Sequence, residues 1–184
     1  MSKEMPMALP ESLELIRHPD YIEIVRSWFG WHIIFLVFFC VFWDGFLFFW
    51  YAMAFEEGNI IMLLFPVLHM VAGVGLTYYT LAVWKNKTYI YASQLKISIF
   101  HKPFPWFGNT ELMVAELKQL YVKEKVSRGK NGSTVTYELH AILKSDKDRK
   151  LIGGLPEPGQ AQYIEQELEK YLRIKDIPVR GQFQ

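Results

Sequence analysis

The chain has 184 residues, 51% hydrophobic and 16% aromatic, a composition that would suit one soluble domain if it were evenly spread. A formal net charge of +1, with no basic run, provides no field that favours nucleic acid. The single cysteine, Cys40, excludes an internal disulfide and a cysteine-based zinc site, as expected of a domain in the cytoplasm.

The apolar excess is concentrated between Trp28 and Val83. That divides the chain into an N-terminal arm (1–27), a transmembrane helical hairpin (28–84), a cytoplasmic domain (85–175) and a tail (176–184). In the arm, Leu13, Ile16, Tyr21, Ile24 and Val25 suggest a partly amphipathic helix broken at His18-Pro19-Asp20. Pro19 disfavours helix at the residue before it, and Asp20 is a good cap for a new start. The second piece would lie along the membrane surface or run into the first span, unless the whole arm is solvated.

The segments 28–55 and 60–83 each exceed the roughly 20 residues needed to cross the hydrocarbon. The polar arm ahead of the first argues for a retained helix rather than a cleaved signal. Lys3, Arg17 and Arg26 precede the hairpin, and Lys85, Lys87 and Lys96 follow it. The connection Glu56-Glu57-Gly58-Asn59 carries no cation, so both termini are expected in the cytoplasm. Trp28, Trp31, Trp43, Trp50 and Trp84 are expected interface aromatics.

Within the spans, Asp44 and His69 fall at similar depth, with His32 nearer the inner surface. Asp44 and His69 are therefore expected to form an intramembrane polar pair, each lowering the other's desolvation cost. One reading is a lock on helix register; the other is a proton-handling pair. His32 or His69 as the axial ligand of a haem or chlorophyll-type pigment is a further alternative. Ala72, Gly73, Gly75 and Gly45 would let backbones approach closely, and Pro66 would bend the second helix. The phenylalanines of the first span, among them Phe35, Phe38, Phe42 and Phe49, put rings on every face, more than one partner helix can cover.

From residue 88 the pattern becomes that of strands. Residues 88–93 and 95–101 alternate around Ser93-Gln94 as a hairpin, and a Pro- and aromatic-rich loop follows at 101–109. Residues 117–126 and 133–143 flank a turn containing Asn131-Gly132, and 149–153 reads as a further short strand. Pro156-Glu157-Pro158 opens an amphipathic helix to about Leu172, with Ala161, Ile164, Leu168 and Tyr171 on one face. The expected fold class is an integral membrane α plus β protein, its antiparallel β domain covered by that helix.

The opening "YIYASQLKISIF", the long central hairpin and the closing "LPEPGQAQYIEQELEKYL" resemble the PH-like domains of small bacterial membrane proteins in which a two-helix hairpin precedes the domain. The resemblance implies a bacterial inner-membrane location and a binding or scaffolding role, and no reaction. The Pro-rich loop around Trp106 departs from that pattern.

Motifs for chemistry are sparse: no phosphate-cradling glycine loop and no HExxH. No catalytic residue, metal site or cofactor is therefore expected, the pigment alternative aside. Lys118, Lys123, Lys125, Arg128 and Lys130 are candidate contacts for anionic lipid headgroups, against a background of Glu116 and Glu124. The expected function is a non-catalytic accessory or assembly subunit whose hairpin packs against a larger membrane complex, respiratory or photosynthetic. The alternative is a membrane-tethered PH-like module that binds lipid headgroups; an enzyme comes third.

Overall fold

The computed structural model describes residues 7–130, 132–175, 177, 179 and 181–183. It divides into two units, the first formed by the chain on both sides of Trp28–Asn86 and the second by Trp28–Asn86 itself.

The first unit begins with strands. β1 (Leu13–Arg17) and β2 (Tyr21–Ser27) form an antiparallel pair, with the His18 N–H donating to the Tyr21 carbonyl at 2.9 Å across the turn. The helix expected over the arm is corrected here. Leu13 and Leu15 alternate along β1, and Ile22, Ile24 and Arg26 along β2, on the face toward the core. Period two and β-branched side chains favour a strand over a helix. The arm is thus part of the β domain, and a domain starting at residue 85 leaves out two of its strands.

β2 pairs directly with β3 (Lys87–Ser93), through Ser27 opposite Lys87 and Ile24 opposite Ile90. The helical hairpin is therefore an excursion between two neighbouring antiparallel strands. β4 (Lys96–Lys102) and β5 (Thr110–Met113) complete a sheet in the order β1-β2-β3-β4-β5. Ser93 shapes the β3–β4 turn, its hydroxyl accepting from the Leu95 and Lys96 N–H groups. β6 (Leu117–Gly129), β7 (Gly132–Leu143) and β8 (Asp148–Leu155) form a second antiparallel sheet, and α4 (Pro158–Leu172) closes the unit. Asn131, expected in the β6–β7 turn, lies outside the described residues, as do four residues of the tail.

The core lies among the two sheets and α4. Ile22, Ile24, Ile90, Ile97 and Ile99 come from the first sheet, Leu120, Leu139 and Leu155 from the second, and Ile164 and Leu168 from α4, all at most 2% exposed. Each contributes about 1.5–3 kcal/mol relative to exposure. Leu13, Ile22 and Ile24 belong to this core, which is why the arm is held.

In the second unit, α1 (Ile33–Glu57) and the segment Ile60–Lys85 are long and apolar enough to cross a membrane. Gly58, at φ +60, ends α1, and the Asn59 side chain accepts from the Ile61 and Met62 N–H groups to start the return. At Pro66 the return splits into α2 (Ile60–Leu64) and α3 (Val67–Lys85). α1 buries Ile33, Cys40, Leu47 and Ala54, one residue in seven; Pro66, Gly73 and Thr80 repeat at the same interval on the return. Seven-residue spacing keeps one seam facing a partner helix. Of the small residues expected to permit close approach, Gly73 does so. A Cβ there would sit 3.0 Å from the Asp44 carboxylate and 3.1 Å from the Trp43 ring, whereas one at Gly45 or Gly75 would meet nothing within 4 Å.

Candidate functional site

Several polar groups of the hairpin bond across that seam. Pro66 has no N–H, so the Met62 carbonyl one turn earlier loses its helical donor. The Trp50 indole N–H, from α1, donates to that carbonyl at 3.0 Å. Two turns further on, the Trp43 indole donates to the His69 carbonyl at 3.3 Å. The Thr77 hydroxyl donates to Asp44 at 2.7 Å, and Cys40 Sγ lies 3.3 Å from Thr80 Oγ1. Trp43 and Trp50 are thus rungs between helices, beyond any role at a water boundary. Trp31 and Trp84 are exposed, with Lys85 Nζ 4.6 Å from the Trp84 ring centre, and Trp28 donates its N–H to the Asn86 carbonyl.

Asp44 and His69 do not pair. The carboxylate is taken by Thr77, two helical turns beyond His69, and no hydrogen bond or ion pair joins it to the imidazole. Their depths are close, as the Trp43 contact shows, but they face different directions. His69 is exposed on the outside of the hairpin, its ring stacked near Trp43 (5.8 Å between ring centres) and Phe65 (6.1 Å). Among the described residues its ring nitrogens have no hydrogen-bond partner. His32 is also exposed, at the foot of α1 and folded against Gly30, about three turns below Trp43.

A second polar cluster lies on the β6-β7-β8 sheet. His140 places Nδ1 2.8 Å from Asp148 on β8 and Nε2 3.2 Å from Glu138, two residues back along its own strand. The Tyr121 hydroxyl donates to the other Asp148 oxygen at 2.9 Å, and Lys125 donates to Glu138 at 3.2 Å. Burial, then the bond to Asp148, pushes the Tyr121 phenol up to about 12. Burial raises Glu138 and Asp148, but the bonds to His140, with Lys125 on one and Tyr121 on the other, outweigh it and leave both carboxyls below the usual range. Such a cluster can hold charge and cross-link strands. Among the described residues no group of three or more His, Cys, Asp or Glu is placed to bind a metal ion. His140 joins no sequence motif. The signal available was Glu138 two residues away, on the same face of a strand; Asp148 needed the β7–β8 register.

The basic candidates divide. Lys118 pairs with Asp146 and Lys125 with Glu138, so both are neutralised. Lys123, Arg128 and Lys130 are exposed along or at the end of the β6–β7 arm, which also exposes the cross-strand pair Val126 and Val135.

The chain matches no protein-family model and no curated protein.

Proposed function

We propose that the protein is a non-catalytic, membrane-anchored accessory subunit whose aromatic hairpin packs sideways against a larger membrane complex and whose β domain braces that complex in the cytoplasm. The observation that carries this reading is His69. A polar ring exposed in the middle of an apolar span, with no partner for its nitrogens among the described residues, is costly in lipid and is retained where a neighbouring protein or ligand satisfies it. Phe35, Phe38, Phe42, Phe46, Phe48 and Phe49 also expose their rings along α1, while Trp43, Trp50, Asp44, Thr77 and Thr80 are engaged within the hairpin.

The topology agrees with this arrangement. Because β2 and β3 are antiparallel neighbours, the hairpin leaves and rejoins the chain at one end of the pair, which supports a reading with both termini on one side of the bilayer. The cations flanking the spans support a cytoplasmic location for that side, and in this reading the membrane is a bacterial inner membrane. The host complex is energy-transducing in this reading, respiratory or photosynthetic, and the two sheets with a closing helix are PH-like.

The test is purification of tagged chain in mild detergent, followed by native sizing, identification of co-purifying proteins and an absorption spectrum. Co-purification of a defined membrane complex, lost in His69→Leu while the isolated chain keeps its fold, is the expected result. A pigment or haem band that disappears in His69→Leu would make that histidine an axial ligand. A colourless monomer or dimer sinks the reading. It would leave a PH-like module binding anionic lipid headgroups through Lys123, Arg128 and Lys130, a second reading favoured by their exposure beside Val126 and Val135.

A further inference from the structure

The loop that joins β4 to β5 presents apolar rings at one end of the first sheet. Residues 103–109, Pro-Phe-Pro-Trp-Phe-Gly-Asn, include three aromatics and no charged side chain. Phe107 is 90% exposed, its ring edge-on to Trp106 with 6.4 Å between centres. The loop is held at its base. The His101 N–H donates to the Asn109 side-chain oxygen at 3.0 Å, and Gly108, at φ +98, turns the chain where a Cβ would come within 3.4 Å of His101 Nε2. Arg149 donates to the Thr110 hydroxyl at 2.8 Å, which fixes the start of β5. The Phe107 ring is thus kept outward on a tied loop, and leaving its apolar surface in water is unfavourable.

Strand register places this loop at the end of the sheet where the chain leaves for the long apolar helices and returns from them. β2 ends at Ser27, and β3 begins at Lys87, two residues after α3 ends at Lys85. β4 runs antiparallel to β3 and finishes at Lys102, directly opposite Lys87. The loop therefore begins one strand spacing, about 4.8 Å, from the residue with which β3 starts. The same end carries two cations. Lys87 and Lys102 are exposed, and among the described residues neither has a carboxylate partner; Lys102 Nζ lies 4.5 Å from the Phe100 ring centre. Like charges directly opposite each other weaken a sheet, and a layer of anionic headgroups relieves that cost. Rings flanked by lysines, with no carboxylate among them, are the side chains that favour a membrane–water boundary.

We propose that residues 103–109 form a third contact with the bilayer besides the two spans, Phe107 entering the interfacial layer with Trp106 behind it. The inference rests on the membrane anchoring proposed above, and adds that the β domain is held to the lipid surface by this loop as well as through the ends of the hairpin. The occupant is lipid rather than protein because a span ends two residues before β3 and so brings the bilayer to this end of the sheet, and because Lys87 and Lys102 complement anionic headgroups. The contact requires neither the host complex nor the basic β6–β7 arm.

The full chain is reconstituted alone into vesicles of phosphatidylcholine and phosphatidylglycerol. Because Cys40 is buried, a nitroxide can be attached at one exposed position at a time: Phe107→Cys in the loop, Leu95→Cys at the opposite end of the β3–β4 pair and Phe42→Cys in the first span. Electron paramagnetic resonance then compares the access of oxygen, which concentrates in lipid, with that of a water-soluble nickel complex. The oxygen-to-nickel ratio at Phe107 should be several-fold higher than at Leu95 and approach that at Phe42. A lipid-like ratio at Phe42 with a water-like one at Phe107 overturns this proposal, leaves the anchoring intact and turns the loop toward a protein partner. Water-like ratios at both positions overturn the anchoring and this proposal together. A second measurement needs no label: the fluorescence difference between wild type and Trp106→Phe isolates Trp106, and lipid brominated near its headgroup should quench it. An unquenched difference, with the remaining tryptophans quenched, also overturns the loop contact alone.

Discussion

At Pro66 the missing N–H is answered by a tryptophan from the opposite helix, so the Trp50–Met62 bond compensates a specific loss. Trp50→Phe should cost the hairpin about 1 kcal/mol, the usual scale for one inter-helix hydrogen bond in a membrane. In a Pro66→Ala background, where the alanine N–H can return to the Met62 carbonyl, the same change should cost markedly less. Thermal unfolding of the four proteins in one detergent measures this coupling; equal costs in both backgrounds would refute the compensation. The His140 cluster has a different signature. Glu138 and Asp148 are held below the usual carboxylate range, so each binds its proton less tightly in the folded state than in the unfolded one. Their stabilisation is complete above the unfolded pKa and is lost as pH falls through the lowered folded value. The domain should therefore lose stability through the acid end of the carboxylate range, and Glu138→Gln should flatten that slope. Urea midpoints between pH 3 and pH 6 decide it, an unchanged slope counting against the cluster. Asp44 and His69 were visible as polar residues in an apolar span and His140 was not singled out, and which atom each one faces depends on helix rotation and strand register.

Elements differ in how plainly their patterns speak. β3, β4, β7 and α4 were legible because alternation or helical spacing separated their two faces, and α4 was also opened by Pro158. The arm failed that test in one respect: Val25 is buried beside Ile24, and this adjacent pair let a helical period compete with the alternation of β2. Hydropathy found the hairpin but not its seam, since every face of α1 is apolar and only packing distinguishes the one-in-seven positions. Gly73 and Gly75 look equivalent in sequence, and the fold distinguishes them. Gly73→Ala should destabilise the hairpin by about 1–3 kcal/mol, because its Cβ would press on Trp43 and Asp44. Gly75→Ala, opening into free space, should leave it unchanged or slightly more stable. Resistance of the hairpin to unfolding in increasing SDS compares the two; equal effects would mean the seam runs elsewhere.

For the whole molecule, the decisive feature is that the hairpin emerges between two paired strands. Since Ser27 and Lys87 are already partners, replacing Trp28–Asn86 with a short Asn-Gly turn should yield a water-soluble β domain that keeps all eight strands. A chain starting at Lys87 should instead aggregate or remain partly unfolded. It lacks Leu13, Ile22 and Ile24 and so exposes the core they cover. Circular dichroism and gel filtration of the two chains check this, and a well-folded chain from Lys87 onward would show that the arm is dispensable. Local composition by itself determined the two long apolar helices, the positions of most later strands and the closing helix, because each of these is a pattern within about twenty residues. The tertiary structure alone decided that the arm completes the sheet, that Asp44 meets Thr77 and leaves His69 outside, and that Arg26 meets Gln160. Those outcomes join residues 33 to 134 positions apart, and only the assembled packing brings such distant groups within hydrogen-bonding range.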